Sequence, residues 1–449
     1  MGLLLNCFMR FHLIRLLSSI AALLLAGLLA LPAHAIGLLR DADMEFALKQ
    51  IASPVIRAAG LNPSRVKVLI VDDSTLNAFV VSNDVIFLHY GLINKLDSAA
   101  MLQGVIAHEA AHISNGHITR RMNNFANSRT IAGLGLALAA AAAASGNGKA
   151  AGGIALGTAS SANRAFLGHT REEESSADQS AIRYMKSAGA SPDGLLDTLK
   201  IFSGQEALSV GRQDPYMRSH PLSRDRLRAV AGAVAAYGTL PADATAEYWF
   251  ARLKGKLTAY TRAPSWTLRR LNSEPYADVR SLREAVAHHR NSNTKKALAA
   301  IDKAIAIRPT DPFLRDQKGQ ILLETRNFKA AADTHASAVQ RAPNDPLLLS
   351  GYGRALLASG QVKTALGVLE KSRRQDFRDS SMLRDLATAY AKTGQTGMAA
   401  LTTAERFAIQ GRLKDAGIHA KRATGLLPTG SGPWQRAQDV LIASQRVAK

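Results

Sequence analysis

From about residue 278 onward the chain repeats itself every 34 residues. Pro309 and Pro343 stand one period apart, as do Asp311-Pro312 and Asp345-Pro346. Gly319, Gly353 and Ala387 keep the same step, and so do Ala297, Ala331, Ala365 and Ala399. A 34-residue unit holds two short helices that cannot bury their apolar faces alone and must stack on their neighbours. The small residues fall where paired helices cross, and the prolines end the second helix of each pair. Four units run to about Gln410. A helix over about 413–427 and a tail over about 434–447 close the array. The pattern predicts an all-α solenoid whose groove receives peptides or partner proteins and performs no chemistry of its own.

Chemistry is concentrated upstream, at His108-Glu109-Ala110-Ala111-His112. Positions four apart on a helix share a face, so His108 and His112 can hold one Zn²⁺ together. Glu109 lies about 100° further round, beside the metal, where it can take a proton from activated water. The motif sits in an apolar run (Met101, Leu102, Val105, Ile106, Ala107), as a buried active-site helix would. A third histidine on the same run is not in place: His117 is one position too early for that pattern and points away from His112, so it reads as structural or partly exposed. The third ligand is therefore expected from a later helix. Glu174 and Asp178 share a face of the segment 171–178 and are followed by apolar Ala181, Ile182, Tyr184 and Met185. A glutamate suits a catalytic zinc that keeps its fourth position open, and Asp178 can accept the free N–H of a ligating histidine. Glu172 and Glu173 are explained by a helix N-terminus.

The order of three separated motifs, His-Glu-x-x-His, then Glu-x-x-Ala-Asp ending at Asp178, then Ser219-His220-Pro221 with Arg226, resembles the gluzincin family of the CAAX prenyl protease and the HtpX heat-shock protease. Asn77-Ala78-Phe79 and Gly91-Leu92-Ile93 fit it too. The resemblance implies Glu174 as third zinc ligand, Glu109 as catalytic base, and one zinc per chain. It also places His220 on a loop near the metal, where it can gate the site or serve as a fourth ligand, with Asp178 and Arg226 supporting the ligands. Two departures are visible: Glu172 and Glu173 crowd charge ahead of Glu174, and His169-Thr170 replaces the common aromatic-Ser pair. The fold class expected is α+β, mostly α: a zincin-type metalloprotease domain with a small β-sheet, then the tetratricopeptide-repeat solenoid.

The remaining segments fill in this plan. Residues 1–35 read as a cleaved signal peptide: Arg10 and Arg15 precede the apolar run 16–31, and Pro32-Ala33-His34-Ala35 ends in a small-residue exit. The single cysteine, Cys7, precedes that run, so the mature chain has no disulfide, as suits a large core in a bacterial periplasm. Expected boundaries are 36–238 for the protease domain, 239–277 for connecting helices and 278–449 for the repeats. Runs at 66–71, 78–81 and 85–88 suggest a small antiparallel sheet whose edge can take a substrate strand. The Ala/Gly-rich stretch 130–165 reads as a pair of tightly packed helices, the sharper alternative being a flap that touches membrane or substrate. Around Tyr248, Trp249, Phe250, Leu253 and Leu257 a helix docks the two parts together.

Formal net charge is +21, and the repeat region carries most of it, with 28 Lys and Arg against 15 Asp and Glu from Asp278 onward. Such a surface favours acidic partners or anionic envelope lipid headgroups; behind a signal peptide, and with no nucleic-acid motif, nucleic acid is not expected. Leader, gluzincin motifs and repeats together resemble the periplasmic barrel-assembly branch of that family, across nearly all of the mature chain. That resemblance implies an endopeptidase of outer-membrane protein quality control acting on misassembled outer-membrane proteins. It also implies contact with the barrel assembly machinery through the repeats. The rival expectation is a repeat scaffold or chaperone whose metal site is closed by His220, hence latent or merely structural.

Overall fold

The computed structural model describes residues 37–121, 170–238 and 240–447. The expected leader at 1–35, with Cys7, and the Ala/Gly-rich stretch 130–165 lie outside the described residues.

A four-stranded sheet opens the chain: β1 (Leu38–Leu39), β2 (Lys67–Val71), β3 (Ala78–Ser82) and β4 (Val85–His89), in the order β1-β2-β4-β3. It is mixed, which corrects the antiparallel expectation. β2 and β4 run parallel, while β1–β2 and β3–β4 are antiparallel. The reason lies in β4. Its Val85-Ile86-Phe87-Leu88 run is buried throughout, so it takes the interior of the sheet, where both faces are covered. The connection after β2 therefore crosses to the far edge, and β3 returns as a hairpin on β4 with a register shift between Val80 and Ser82. Ile70, Ile86 and Leu88 face the main core, and Leu69, Val71, Val85 and Phe87 form a smaller cluster on the other side.

Helix α1 (Ala42–Ala58) begins where Asp41 accepts the Met44 amide. After α2 (Tyr90–Lys95) comes α3 (Ala99–Ser114), capped by Ser98 and buried over nearly its whole length. Its low amphipathicity follows from position: the sheet, α1, α4 (Arg171–Ser187) and α5 (Asp193–Ile201) cover it from several sides. The α3–α5 crossing is backbone to backbone. A Cβ on Gly194 would lie 2.2 Å from the Ala100 carbonyl, so only glycine fits there. A capping box of Thr170 and Glu173 starts α4. Short α6 (Pro215–Ser219) and α7 (Arg224–Tyr237) complete this part.

Helix α8 (Ala244–Thr261) packs its Phe250, Leu253 and Leu257 into the same core as α1 and α3. Beyond α9 (Pro264–Arg269) the helices pair: α10 (Ala277–Arg290) with α11 (Thr294–Ile307), α12 (Pro312–Glu324) with α13 (Phe328–Arg341), and α14 (Pro346–Ala358) with α15 (Val362–Gln375). Then follow α16 (Ser380–Lys392) with α17 (Thr396–Ile409), and α18 (Leu413–Leu426) with α19 (Gly432–Val447). The recurring Asp-Pro pairs start the first helix of a unit: Asp311 and Asp345 accept two backbone amides each, and Pro312 and Pro346 occupy the first turn. Ala297, Ala331 and Ala365 are fully buried at the crossings.

The repeats meet the first part through buried ions that the apolar pattern did not reveal. Asp43 Oδ1 lies 2.7 Å from Arg252 Nε, and Arg252 Nη1 lies 2.5 Å from Asp311 Oδ2. Lys256 Nζ reaches Asp41 at 2.8 Å, and Arg40 binds both Glu45 and, at 2.8 Å, Asp376. Among the described residues, no helix is long and apolar enough to cross a membrane.

Candidate metal centre

Helix α3 points His108 and His112 into the core with no solvent exposure, and their Nε2 atoms stand 3.1 Å apart. Helix α4 brings Glu174 against both: Oε2 lies 3.3 Å from His108 Nε2 and Oε1 lies 3.3 Å from His112 Nε2. His220, at the end of α6, completes the group, with Nδ1 3.0 Å from Glu174 Oε1 and 3.3 Å from His108 Nε2. One ligand atom from each of the four lies within 4.8 Å of every other.

These residues fit a metal ion. With bonds of about 2.0–2.1 Å, the ligand atoms around a tetrahedral zinc stand about 3.3 Å apart. The observed spacings are of that size, although the groups come from three separate segments. Imidazole nitrogens converging so closely on a carboxylate, without solvent, require positive charge at their centre. Taken with protons alone, burial would lower His108, yet Glu174 and Asp178 raise it to about 10. A divalent cation meets the same demand. The sequence-predicted ligands His108, His112 and Glu174 are thus brought together, and His220 joins them.

Glu109 is fully buried beside the group, with Oε1 3.3 Å from His220 Nε2 and no hydrogen bond to either carboxylate oxygen among the described residues. Burial pushes its carboxyl up, towards the range useful to a general base. Asp178 Oδ1 lies 3.0 Å from His108 Nδ1, the nitrogen turned away from the cluster. Arg226 Nε and Nη2 donate to Asp178 at 2.7 and 2.9 Å, and Arg226 Nη1 donates to the Pro221 carbonyl at 2.8 Å and lies 2.7 Å from Glu174 Oε2. Burial alone would raise Asp178, but His108 and Arg226 hold it below the usual carboxylate range.

His117 takes the structural one of its two expected places, but it does not point away from His112 as the sequence suggested. It is 2 % exposed, and its Nδ1 stands 2.8 Å from His112 Nδ1, so it is buried against a cluster histidine rather than partly exposed. The turn Asn115-Gly116, with Gly116 at φ 71°, ends α3 and folds His117 back; the continued-helix geometry assumed from sequence does not hold. Tyr216 was missed altogether. Its ring stacks on Phe202 and packs 4.7 Å from His220, and its buried hydroxyl has no hydrogen-bond partner among the described residues. No spacing rule ties Tyr216 to the motifs; only its place four residues before His220 was available.

The loop bearing His220 is docked on the sheet edge. Tyr216 N donates to Leu76 O at 3.1 Å, and His220 Nε2 lies 3.3 Å from the Ala78 carbonyl. Gly91 permits an equally close fit nearby: a Cβ there would lie 2.0 Å from the Ser74 carbonyl.

Comparison with known proteins agrees with this arrangement. Residues 43–234 match the model of Peptidase family M48, and residues 322–390 match a tetratricopeptide-repeat model. The chain is 22% identical over 185 residues to the beta-barrel assembly-enhancing protease of Yersinia pestis, covering 41% of this chain and 38% of that one. It is 27% identical over 219 residues to the putative beta-barrel assembly-enhancing protease of Vibrio cholerae, covering 43% and 44%. To metalloprotease LoiP of Escherichia coli it is 28% identical over 206 residues, covering 44% and 74%. The matched segments thus span about two fifths of the assembly-enhancing relatives. The buried histidine–glutamate cluster lies wholly inside residues 43–234, the segment that matches Peptidase family M48, and the segment matching tetratricopeptide repeats follows it on the same chain.

Proposed function

We propose that the protein is a zinc-dependent endopeptidase of the bacterial periplasm, acting on misassembled outer-membrane proteins and held latent by His220. The observation that carries the reading is the convergence of His108, His112, Glu174 and His220 beside an unbonded, buried Glu109. His108, His112 and Glu174 would hold the zinc, oriented by Asp178 and Arg226. The bound ion would polarise the scissile carbonyl and ease deprotonation of water. Glu109 takes the proton from that water and delivers it to the leaving amine. An extended substrate adds to the β3 edge, next to Ala78, with its backbone paired along the strand. His220 now occupies the space between that edge and Glu174, so it must move aside first. The periplasmic setting rests on the leader read from sequence. The outer-membrane substrates and a contact of the repeats with the barrel assembly machinery rest on the names of the assembly-enhancing relatives.

A second reading is favoured by one observation, the contact of His220 Nδ1 with both Glu174 and His108: four protein ligands make a closed site of the structural kind, on a chain acting as scaffold or chaperone. Metal content and cleavage of an unfolded outer-membrane protein, measured for wild type and His220→Ala, separate the two. Latency predicts about one zinc per chain in both and faster cleavage by the variant. Loss of zinc or folding in His220→Ala, with no cleavage by either protein, establishes the closed site instead.

A further inference from the structure

The far end of the repeats carries a cavity of about 440 Å³ between α16, α17 and α18, remote in sequence from every metal-centre residue. Its cations come from all three helices, Arg384 and Lys392 on α16, Arg406 on α17 and Arg422 on α18, and His419 of α18 also lines it. From Ser380 to Leu426 there are seven Lys and Arg but three Asp and Glu. Those three acids are already engaged. Asp385 binds Arg354 and Arg384, Glu405 binds Arg373 and Arg436, and Asp415 binds Arg412. Lys392, Arg406 and Arg422 have no carboxylate within ion-pair distance among the described residues, and Arg406 Nε is buried without a hydrogen bond. Burial and the nearby Arg384 and Arg412 lower Arg406, and burial with Arg422 and Arg406 lowers His419. Uncompensated like charge gathered in a concave place costs folding energy and is relieved by an anionic ligand.

The shape of the groove restricts that ligand. Arg384 and Lys392 are eight residues apart on one helix, which sets their Cα atoms about 12 Å apart. A single phosphate or carboxylate cannot reach both. An extended peptide advances about 3.3 Å per residue, so acidic side chains on alternate residues meet both cations within about four residues. Between the cations the floor is small: Ala387, Ala391 and Ala399, with hydroxyls of Thr388 and Thr403. Such a floor lets a backbone approach closely and offers hydroxyls to it.

We infer that this groove binds an acidic, extended peptide segment of a partner protein, through Arg384, Lys392, Arg406 and Arg422. The inference rests on reading the repeats as a partner-binding module and not on the metal centre. The test is fluorescence anisotropy of a labelled ten-residue peptide with Asp or Glu at alternate positions, added to the full chain, with the peptide checked for integrity by mass spectrometry. Wild type is expected to bind it saturably, more weakly as salt rises. Arg406→Glu and the double change Lys392→Glu/Arg422→Glu are each expected to weaken binding by roughly tenfold or more, about 1.4 kcal/mol, with helical circular dichroism and melting unchanged. Arg406→Lys should retain most of the affinity. Undiminished binding by the folded charge-reversed proteins overturns the inference. So does binding of anionic phospholipid vesicles with no binding of the peptide, which would make the groove a membrane contact. Should a charge reversal fail to fold, the wild-type competition of acidic against sequence-matched neutral peptide decides instead: equal affinities overturn the proposal. Zinc-dependent cleavage is not read in any arm, so its presence or absence leaves the outcome intact.

Discussion

Two buried polar clusters sit in this molecule, and they are built on opposite principles. Where the repeats meet the catalytic part, Asp43, Arg252, Lys256 and Asp311 alternate in sign, each charge facing an opposite one at 2.5–3.6 Å. In the metal centre, lone pairs of His108, His112, Glu174 and His220 face one another, and the nearest fixed cation, Arg226, stands behind Glu174 and Asp178. The first cluster is electrically complete and ties helices together. The second leaves a positive charge to be supplied from outside the chain. A buried cluster that neutralises itself reads as structure, whereas one that converges on an unfilled demand reads as a site.

The sharpest break is expected at Glu109, which belongs to the site but not to its ligands. Glu109→Gln should lower kcat by roughly 10²- to 10⁴-fold while metal analysis still finds the wild-type zinc content. The self-neutralising cluster should respond in stability alone. Asp43→Ala takes one of the two carboxylates that face Arg252, leaving its Nε buried without a partner, and is expected to cost about 1–3 kcal/mol in denaturant unfolding, with metal affinity unchanged in whatever fraction stays folded. Asp178→Asn tests the border between the two kinds: it removes the negative charge and one of the two oxygens shared by His108 and Arg226, and should weaken zinc binding roughly 10- to 100-fold in chelator competition. The smallest effect concerns pH. Arg40 holds Asp376 below the usual carboxylate range despite burial. Its depressed folded-state value makes this pair stabilising above the unfolded value of about 4. That contribution is lost as pH falls through the folded value, and Asp376→Asn should flatten the acid side of a melting-temperature profile.

The same contrast explains what the sequence disclosed. Site residues are legible because metal chemistry fixes their type and spacing along one helix: His108, Glu109 and His112 follow from the helical repeat, and Glu174 with Asp178 from the same rule. His220 carries no such rule and was reached only through the resemblance of Ser219-His220-Pro221. The buried ions were not legible. Arg252 and Lys256 lie on α8, whose apolar members were read correctly, but a charge in a helix is ordinarily solvated until its partner is known, and Asp43 and Asp311 are distant in sequence. The parallel pairing of β2 with β4 was hidden likewise, since periodicity reports which residues are buried and not which strand lies alongside. In the repeats the 34-residue step gave helix ends and crossings directly, because each unit meets the same neighbour in the same way.

Arg226 has one more consequence. The segment from Tyr216 to Pro221 is an arch held at both feet, by the Tyr216 amide on Leu76 and by Arg226 on the Pro221 carbonyl. An arch fixed at its feet does not swing. If His220 is to leave its place, as the proposed function requires, it would have to turn about its own side-chain bonds and off the Tyr216 ring while the backbone stays put. On the proposed latent reading, entry to the centre would then depend on how readily one buried imidazole turns, and not on a loop that swings open.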